Sequence, residues 1–517
     1  MRPSFNTTGP CIPGEHYLLP PERRLGRVRE LIEDGRYFTL QAGRQTGKTT
    51  SARWLADHYA AGQRYRAIWV DIQIAREQPD PAAAFRTVLT KLDMAVESYL
   101  PDLGVPASRP RLLDDPESAI LRYLQDLAAR ASLPLVVLID EADCLVGPAM
   151  VSFLTQLRDG YIGRSRIPFP HSVVLVGARA VRDFVFSQEE RNAVSWLGAA
   201  SPFNVSAEVA SLAAFTRDEV FELLAQHTTT TGQRFEPEAA ALIHELSQGH
   251  PWLANALADR IVERDLRDRS IAVTPVHVEA AKEALILERR THLDSLMARL
   301  REPRVRRIID AMLAGDRTPS DVLDDDFAYV LGLGLVRARA GHFEIANPIY
   351  REVIPRALTY IQQMQLGNEP ADYVRPDGAL DVAKLMDDWQ VFWREDGHLS
   401  AEGFGYRESG PHLMLMAFLQ RVVNGGGRIE REYGLGRGAL DLLVDWRGER
   451  HAIEVKLRRD TQTQKRALEQ VARYLDSLGL DEGWLVMFDL RGKRSWKDRL
   501  TRKTVKASGK RIHIVGC

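Results

Sequence analysis

Asp441, Glu454 and Lys456 have the types and spacing to do chemistry on a phosphate ester. They lie in two runs, Ala439–Asp445 and Arg450–Leu457, that alternate apolar and polar residues around Trp446-Arg447-Gly448-Glu449. That pattern predicts a β-hairpin with Arg447-Gly448 as its two-residue turn. Residues whose numbers sum to 895 then lie opposite each other, so Asp441 faces Glu454. Lys456, two residues on, projects to the same side. The other face carries Leu440, Leu442, Val444, Ile453, Val455 and Leu457 and is expected to be the core side. Like charges directly opposite in a sheet are destabilising; a divalent cation between them reverses the sign. Two carboxylates with a backbone carbonyl suit a hard ion such as Mg²⁺, with Mn²⁺ as a substitute. An ion held there polarises a phosphodiester and acidifies a bound water. A lysine beside it orients that water or offsets charge developing on the phosphate.

The elements around the hairpin sharpen this reading. Thr463–Leu478 has helical spacing, and Gln470 and Tyr474, four apart, share a face of it. The helix Pro411–Asn424 and the Gly425-Gly426-Gly427 turn lead into the hairpin. An Asp, a spacer, then Glu-x-Lys, followed by Gln-x-x-x-Tyr, resembles the RecB-like branch of the PD-(D/E)XK nucleases. The resemblance implies Asp441 and Glu454 as metal ligands, with Lys456, Gln470 and Tyr474 completing the catalytic set. It also implies an upstream acidic residue, for which Glu408, Glu430 and Glu432 are equal candidates. Arg437 could meet a phosphate.

A second constellation lies near the start. Ala42-Gly43-Arg44-Gln45-Thr46-Gly47-Lys48-Thr49 matches a P-loop with alanine in place of the first glycine. A buried strand over Tyr37–Gln41 and a helix over Lys48–Ala60 supply the context that the motif needs. Backbone N–H groups from Ala42 to Thr50 and the helix N-terminus would hold the phosphates of ATP. Lys48 would bind the β- and γ-phosphates and Thr49 would bind Mg²⁺. Leu135–Glu141 is an apolar strand ending in two carboxylates, a Walker B arrangement. Asp140 would hold the Mg²⁺ shell, and Glu141 would position or deprotonate the attacking water. Asp140-Glu141-Ala142-Asp143 invites a helicase reading, but no Ser-Ala-Thr motif or second such domain follows. Arg179, Arg182 and Arg191 are candidate sensors of the γ-phosphate.

The region from Ser206 to Glu263 is expected to be helical and free of strands, with helices over Thr216–Gln226 and Glu238–Gln248. Gly249-His250-Pro251 resembles the Gly-x-Pro of STAND-type ATPases, which places Pro251 near the nucleotide. Phe5–Pro10, His16-Tyr17, Ser201–Asn204 and Ala254–Leu257 resemble a prokaryotic AAA-like ATPase family, some members of which carry a C-terminal PD-(D/E)XK domain. Beyond the lid, Pro303–Ala314, Ser320–Leu331, a hairpin at Leu335–Ala346 and Pro348–Leu358 suggest a winged helix. Asp321, Asp324, Asp325 and Asp326 speak against its gripping DNA and favour an internal docking or regulatory role.

The expected fold is multidomain α/β. An AAA-like P-loop NTPase core spans 1–204, a helical lid 205–290, a winged helix 291–362, a linker 363–402, and a PD-(D/E)XK nuclease-like domain 403–517. At 517 residues, 45% hydrophobic and 27% charged, the chain has the length for several globular domains. A net charge of −1 gives no global attraction to nucleic acid, so any DNA contact must be local. The basic run from Arg491 to Arg511, with Trp496 in it, is the candidate surface. Cys11, Cys144 and Cys517 are too scattered for a disulfide framework or a zinc site. No signal core or membrane-length apolar run is present, so a cytoplasmic protein is expected. Together these features point to an ATP-regulated, Mg²⁺-dependent DNA endonuclease, of a kind used in genome defence. The rival is a regulatory ATPase that binds DNA without cutting it. A nucleotide-dependent homo-oligomer and an activating partner protein are further expectations.

Overall fold

A computed structural model describes residues 2–76, 78–107, 109–177, 208–288, 291–313, 325–339, 342–358, 370–397, 409–423, 427–435, 438–458, 462–489 and 496–517. The chain forms two compact units, Met1–His292 with Leu323–Arg337, and Leu293–Val322 with Ala338–Cys517.

The first unit is built on a five-stranded parallel sheet in the order β2-β3-β4-β1-β5. Its strands are β1 (Tyr37–Gln41), β2 (Arg66–Asp71), β3 (Leu135–Asp140), β4 (Ser172–Gly177) and β5 (Val209–Ser211). Strands β3 and β4 are buried along their whole length, as continuous apolar runs in a two-sided parallel sheet must be. Alternation sends Val137, Ile139, Val173 and Leu175 to one face, against Phe85, Tyr123 and Phe153 of the helices Pro81–Tyr99, Ala119–Arg130 and Gly147–Gly163. Val136, Leu138, Val174 and Val176 go to the other, against Leu31 and Leu55 of Gly26–Glu33 and Lys48–Ala61. Four helices follow, Arg217–Thr231, Pro237–Ser247, Pro251–Asp259 and Pro275–Leu287. Thr216 and Glu219 close a capping box at the start of the first. One expectation fails here. Val209–Ser211 is a strand, added in parallel to β1 through Thr39↔Val209 and Gln41↔Ser211.

The segment read as a winged helix is divided between the units. Helix Asp325–Gly332 belongs to the first, while Thr291–Arg299, Pro303–Leu313 and Pro348–Leu358 fall almost wholly in the second. Strands β6 (Val336–Arg339) and β7 (His342–Ile345) pair where the hairpin is expected.

The second unit holds a six-stranded mixed sheet in the order β12-β13-β11-β10-β9-β8. Its strands are β8 (Gly427–Leu435), β9 (Gly438–Trp446), β10 (Glu449–Leu457), β11 (Glu482–Phe488), β12 (Arg502–Ala507) and β13 (Lys510–Gly516). The β9–β10 ladder runs from Trp446↔Glu449 to Leu442↔Ile453, the register that the turn predicts. Arg447 and Gly448 take φ of 52° and 90°, the left-handed pair that lets a two-residue turn follow the strand twist.

Two corrections apply to this unit. Both faces of the sheet are core, not one. Leu443, Ala452, Leu485 and Met487, on the face of Asp441 and Glu454, pack under Val471, Tyr474 and Leu475 of helix Thr463–Leu478. On the reverse face, Phe488 meets Trp389 and Trp393 at ring distances of 6.1 and 4.8 Å. The second correction concerns the stretch read as a linker. Helix Val382–Phe392 within it buries Leu385, Met386 and Trp389, and Gln390 donates to the Gly516 carbonyl at 2.6 Å. It is a core helix of the second unit, disguised by polar, turn-forming flanks.

Gly249 and Gly448 both have positive φ, at 72° and 90°, but differ in surroundings. A Cβ on Gly249 would lie 1.9 Å from the Phe215 carbonyl oxygen, whereas one on Gly448 meets nothing within 4 Å. Gly448→Ala is therefore expected to cost about 1–2 kcal/mol from backbone strain alone. Gly249→Ala is expected to cost at least about 2 kcal/mol more, read as a larger fall in thermal midpoint.

Candidate functional site

The chain presents two candidate sites, one in each unit. In the first, β1 runs into a loop that turns at Gln45 (φ 57°) and Gly47 (φ 89°) before helix Lys48–Ala61 begins. Alternating left-handed residues of this kind are the backbone signature of an anion-binding nest. Lys48 is 8% exposed and donates from Nζ to the Ala42 and Gly43 carbonyls at 2.8 and 2.7 Å. Burial lowers its pKa, and the charges of Asp140, Asp143 and Glu141 oppose that shift. Thr46 Oγ1 donates to the Gly43 carbonyl at 2.9 Å, and Thr50 Oγ1 accepts from Cys11 N at 3.0 Å.

The two carboxylates at the end of β3 have separate environments. Asp140 is buried and hydrogen-bonded to the Thr49 side chain; it accepts from Trp69 Nε1 at 3.3 Å and Glu141 N at 2.9 Å. Burial raises its pKa. Thr49 and Asp140 thus form the neutral and acidic oxygen pair that suits a Mg²⁺ shell. Glu141 takes a left-handed φ of 54° and its Oε2 meets Arg76 Nη2 at 3.2 Å. Its pKa is raised by burial, then by Asp143 and Asp140.

In the helical segment after β5, Phe215 N donates to the Gly249 carbonyl at 2.8 Å, and Pro251 opens helix Pro251–Asp259. Between them His250 is bonded to the backbone of Arg44, and its pKa is driven down to about 4, chiefly by burial. The N-terminal arm closes the same region, with Trp252 Nε1 donating to the Thr7 carbonyl at 2.9 Å. A Cβ on Gly43 would lie 2.8 Å from the Leu333 carbonyl oxygen, so that position tolerates only glycine. Arg76 and Trp69 carry no motif and His250 is the unspecified middle position of Gly-x-Pro; proximity to β3 and to the loop reveals them. Arg179, Arg182 and Arg191 lie outside the described residues.

In the second unit, Asp441 and Glu454 meet across β9 and β10. Glu454 is 0% exposed and its Oε2 accepts from Asp441 N at 3.3 Å. Asp441 Oδ2 accepts from Val455 N at 2.8 Å. Lys456 Nζ lies 2.6 Å from Glu454 Oε1 and 3.4 Å from Asp441 Oδ2, bridging both. Burial, then the Asp441 charge, pushes the Glu454 pKa up to about 7, against the pull of Lys456. Gln470 Nε2 donates to Tyr474 OH at 2.8 Å on the helix that covers this face. Among the described residues no cluster of three or more His, Cys, Asp or Glu could hold a metal, so this site offers two carboxylates. Glu408 and Arg437 fall outside the described residues, and Glu430 and Glu432 lie on β8.

Residues 33–185 match the family model of an AAA domain. The chain carries an AAA-like P-loop ATPase domain. Residues 381–492, which include Asp441, Glu454, Lys456, Gln470 and Tyr474, match a domain of unknown function, DUF8371. No curated protein matches the chain. Similar solved structures include a Walker-type ATPase of Pyrococcus abyssi, 15% identical with a TM-score of 0.48, over 68% of this chain and 99% of that one. The ORC2 protein of Aeropyrum pernix is 17% identical with a TM-score of 0.40, over 67% and 94%. The RuvB Holliday junction branch migration motor of Thermotoga maritima is 15% identical with a TM-score of 0.33, over 65% and 93%. An AAA-like P-loop ATPase domain takes a nucleotide, typically with Mg²⁺. Among the described residues no helix is long and apolar enough to cross a membrane.

The Glu454 shift has a measurable consequence. Its folded pKa of about 7 exceeds the ordinary 4.5, so the folded state holds more protons between those values. Its stabilising contribution is full below pH 4.5 and is lost as pH rises through about 7. In chelator, the thermal midpoint of the wild type is expected to fall across that window, with a shallower fall for Glu454→Gln.

Proposed function

We propose that this chain is an ATP-regulated, Mg²⁺-dependent DNA endonuclease. The reading is carried by one observation, the bridging of Asp441 and Glu454 by Lys456 beneath a helix that bears Gln470 and Tyr474. Asp441 and Glu454 would hold Mg²⁺ or Mn²⁺, with the carbonyl of Val455 as a further oxygen. A cation bound there supplies a polarised phosphodiester and an acidified water. Lys456, released from the carboxylates, orients that water and offsets charge on the scissile phosphate. Gln470 and Tyr474 position the backbone of the strand being cut. In the AAA domain, Lys48 and the loop 42–50 hold the phosphates, Thr49 and Asp140 hold Mg²⁺, and Glu141 activates water. Pro251 closes the lid side of the nucleotide.

DNA is the expected partner, and the basic strands near the C-terminus offer only part of the charge that their sequence suggests. Lys510 pairs with Asp481 at 3.1 Å, Arg511 with Glu482 at 3.0 Å and Arg502 with Asp387. Lys503 and Lys506 remain exposed on the edge strand β12. A nucleotide-dependent homo-oligomer, control by an activating protein and a place in genome defence complete the proposal. A cytoplasmic site of action accords with reduced, scattered cysteines. Residues 291–362 would relay the nucleotide state as a winged-helix module.

Plasmid cleavage with Mg²⁺ or Mn²⁺, with and without ATP, is the test. Cleavage is expected to fall at least about 100-fold in Glu454→Ala and in Lys456→Ala. Phosphate release from ATP is expected to fall at least about 100-fold in Glu141→Gln. Cleavage that persists in the Glu454→Ala, Lys456→Ala double variant would sink the nuclease claim. The second reading, a regulatory ATPase that binds DNA without cutting it, is favoured by the count of only two carboxylates at the site among the described residues. Tight DNA binding with no nicking in any metal would select it.

A further inference from the structure

Arg24 stands beside the phosphate cradle, and among the described residues no carboxylate forms an ion pair with it. It ends the 3₁₀ turn Pro21–Arg24, before helix Gly26–Glu33, where no nucleotide-binding motif lies. Its Nη2 donates to the Thr46 carbonyl at 3.1 Å and its Nε to the Ala213 carbonyl at 2.6 Å. Its guanidinium carbon lies 4.9 Å from the centre of the Phe215 ring. A Cβ on Gly47 would come to 3.5 Å from its Nη1. The guanidinium therefore lies against the last glycine of the cradle, at the amino end of helix Lys48–Ala61.

The charge there is poorly compensated. Among the described residues no carboxylate pairs with Arg24, and the only acid acting on it is Glu219, through space. Burial pulls its pKa down to about 10. Lys48, the other cation of the cradle, is buried where Arg24 is half-buried, and is also bonded to carbonyl oxygens. His250, near both, feels the positive field of each. A cation even partly withdrawn from water is costly without a counter-charge. Two cations and a helix N-terminus converging on one loop make a site that an anion of several charges would satisfy.

We propose that Arg24 is a second cationic contact for the polyphosphate of the nucleotide, beside Lys48, and ties the filled cradle to the segment 213–215 that enters the lid. The proposal rests on the reading of residues 42–50 as the nucleotide cradle. Arginine suits the role because its planar fork can keep one carbonyl bond while turning another N–H edge to phosphate. The Ala213 and Phe215 contacts then give the lid a stake in the charge of the ligand.

Calorimetric titration of the full chain with ATP and with ADP, at two salt concentrations, tests this in wild type, Arg24→Gln and Arg24→Lys. Arg24→Gln is expected to weaken both nucleotides by about ten- to a hundred-fold, the range for a charged hydrogen bond. Its affinity should also depend less on salt, and Arg24→Lys should restore the wild-type salt dependence. Unaltered affinity in Arg24→Gln overturns the assignment. So does weakened affinity with unaltered salt dependence, the signature of a strut that merely braces Thr46 and Ala213. A wild type that binds neither nucleotide contradicts the cradle reading itself, an outcome distinct from either of these.

Discussion

A charge taken out of water must find a partner, and each compact unit of this chain is arranged around one that has been taken out. In the first unit it is Lys48, held by two backbone carbonyls at the mouth of a parallel sheet. In the second it is Glu454, wholly buried in the middle of a mixed sheet. Neither group is stabilising by itself, because desolvation outweighs an imperfect partner. Both persist because neighbouring groups answer them, the Ala42 and Gly43 carbonyls for Lys48 and the Lys456 ammonium for Glu454; a nucleotide phosphate at the first and, in the function proposed above, a divalent cation at the second would relieve them. That imbalance links fold to function here. The core supplies the stability, and the sites draw on it.

The sheets do the positioning. In the first unit, parallel strands end together, so the loop after β1 and the carboxylates after β3 face one region from neighbouring elements. Asp140 and Glu141, adjacent in sequence, diverge because Glu141 turns left-handed; one carboxylate goes to Thr49 and the other to Arg76. In the second unit a hairpin does the same work by register. A slip of one residue would move Asp441 to the opposite face from Glu454 and send the apolar set to the wrong side. The left-handed turn at Arg447-Gly448 guards against that slip.

Much of this was legible in the residues alone, and the legible parts are local. The strand–loop–helix from Tyr37 to Ala61, the apolar strand before Asp140, the hairpin register and the helix Thr463–Leu478 follow from short-range periodicity and turn chemistry. What stayed hidden depends on residues far away in sequence. Val209–Ser211 is too short to announce itself and becomes a strand only because β1 offers an edge. A short helix over Val382–Phe392 is legible in the sequence, but its core role is not until the sheet gives Trp389 and Gln390 something to pack on. Within the basic run near the C-terminus, Arg502, Lys510 and Arg511 read as a free surface until Asp387, Asp481 and Glu482 are placed beside them, while Arg491, Lys493 and Arg494 lie outside the described residues. Arg24 has no motif, and only its fit against Thr46 and Gly47 marks it.

The proposed function turns on Asp441, half-buried, and Glu454, buried, forming a divalent-cation site that Lys456 occupies when no metal is bound. Anomalous diffraction from crystals of the full chain in Mn²⁺ measures this directly. The account predicts one peak bonded to an oxygen of each carboxylate at about 2.1–2.2 Å, with Lys456 Nζ moved away from both. A peak that stays outside this pair at millimolar Mn²⁺, with Lys456 still bridging, would contradict it.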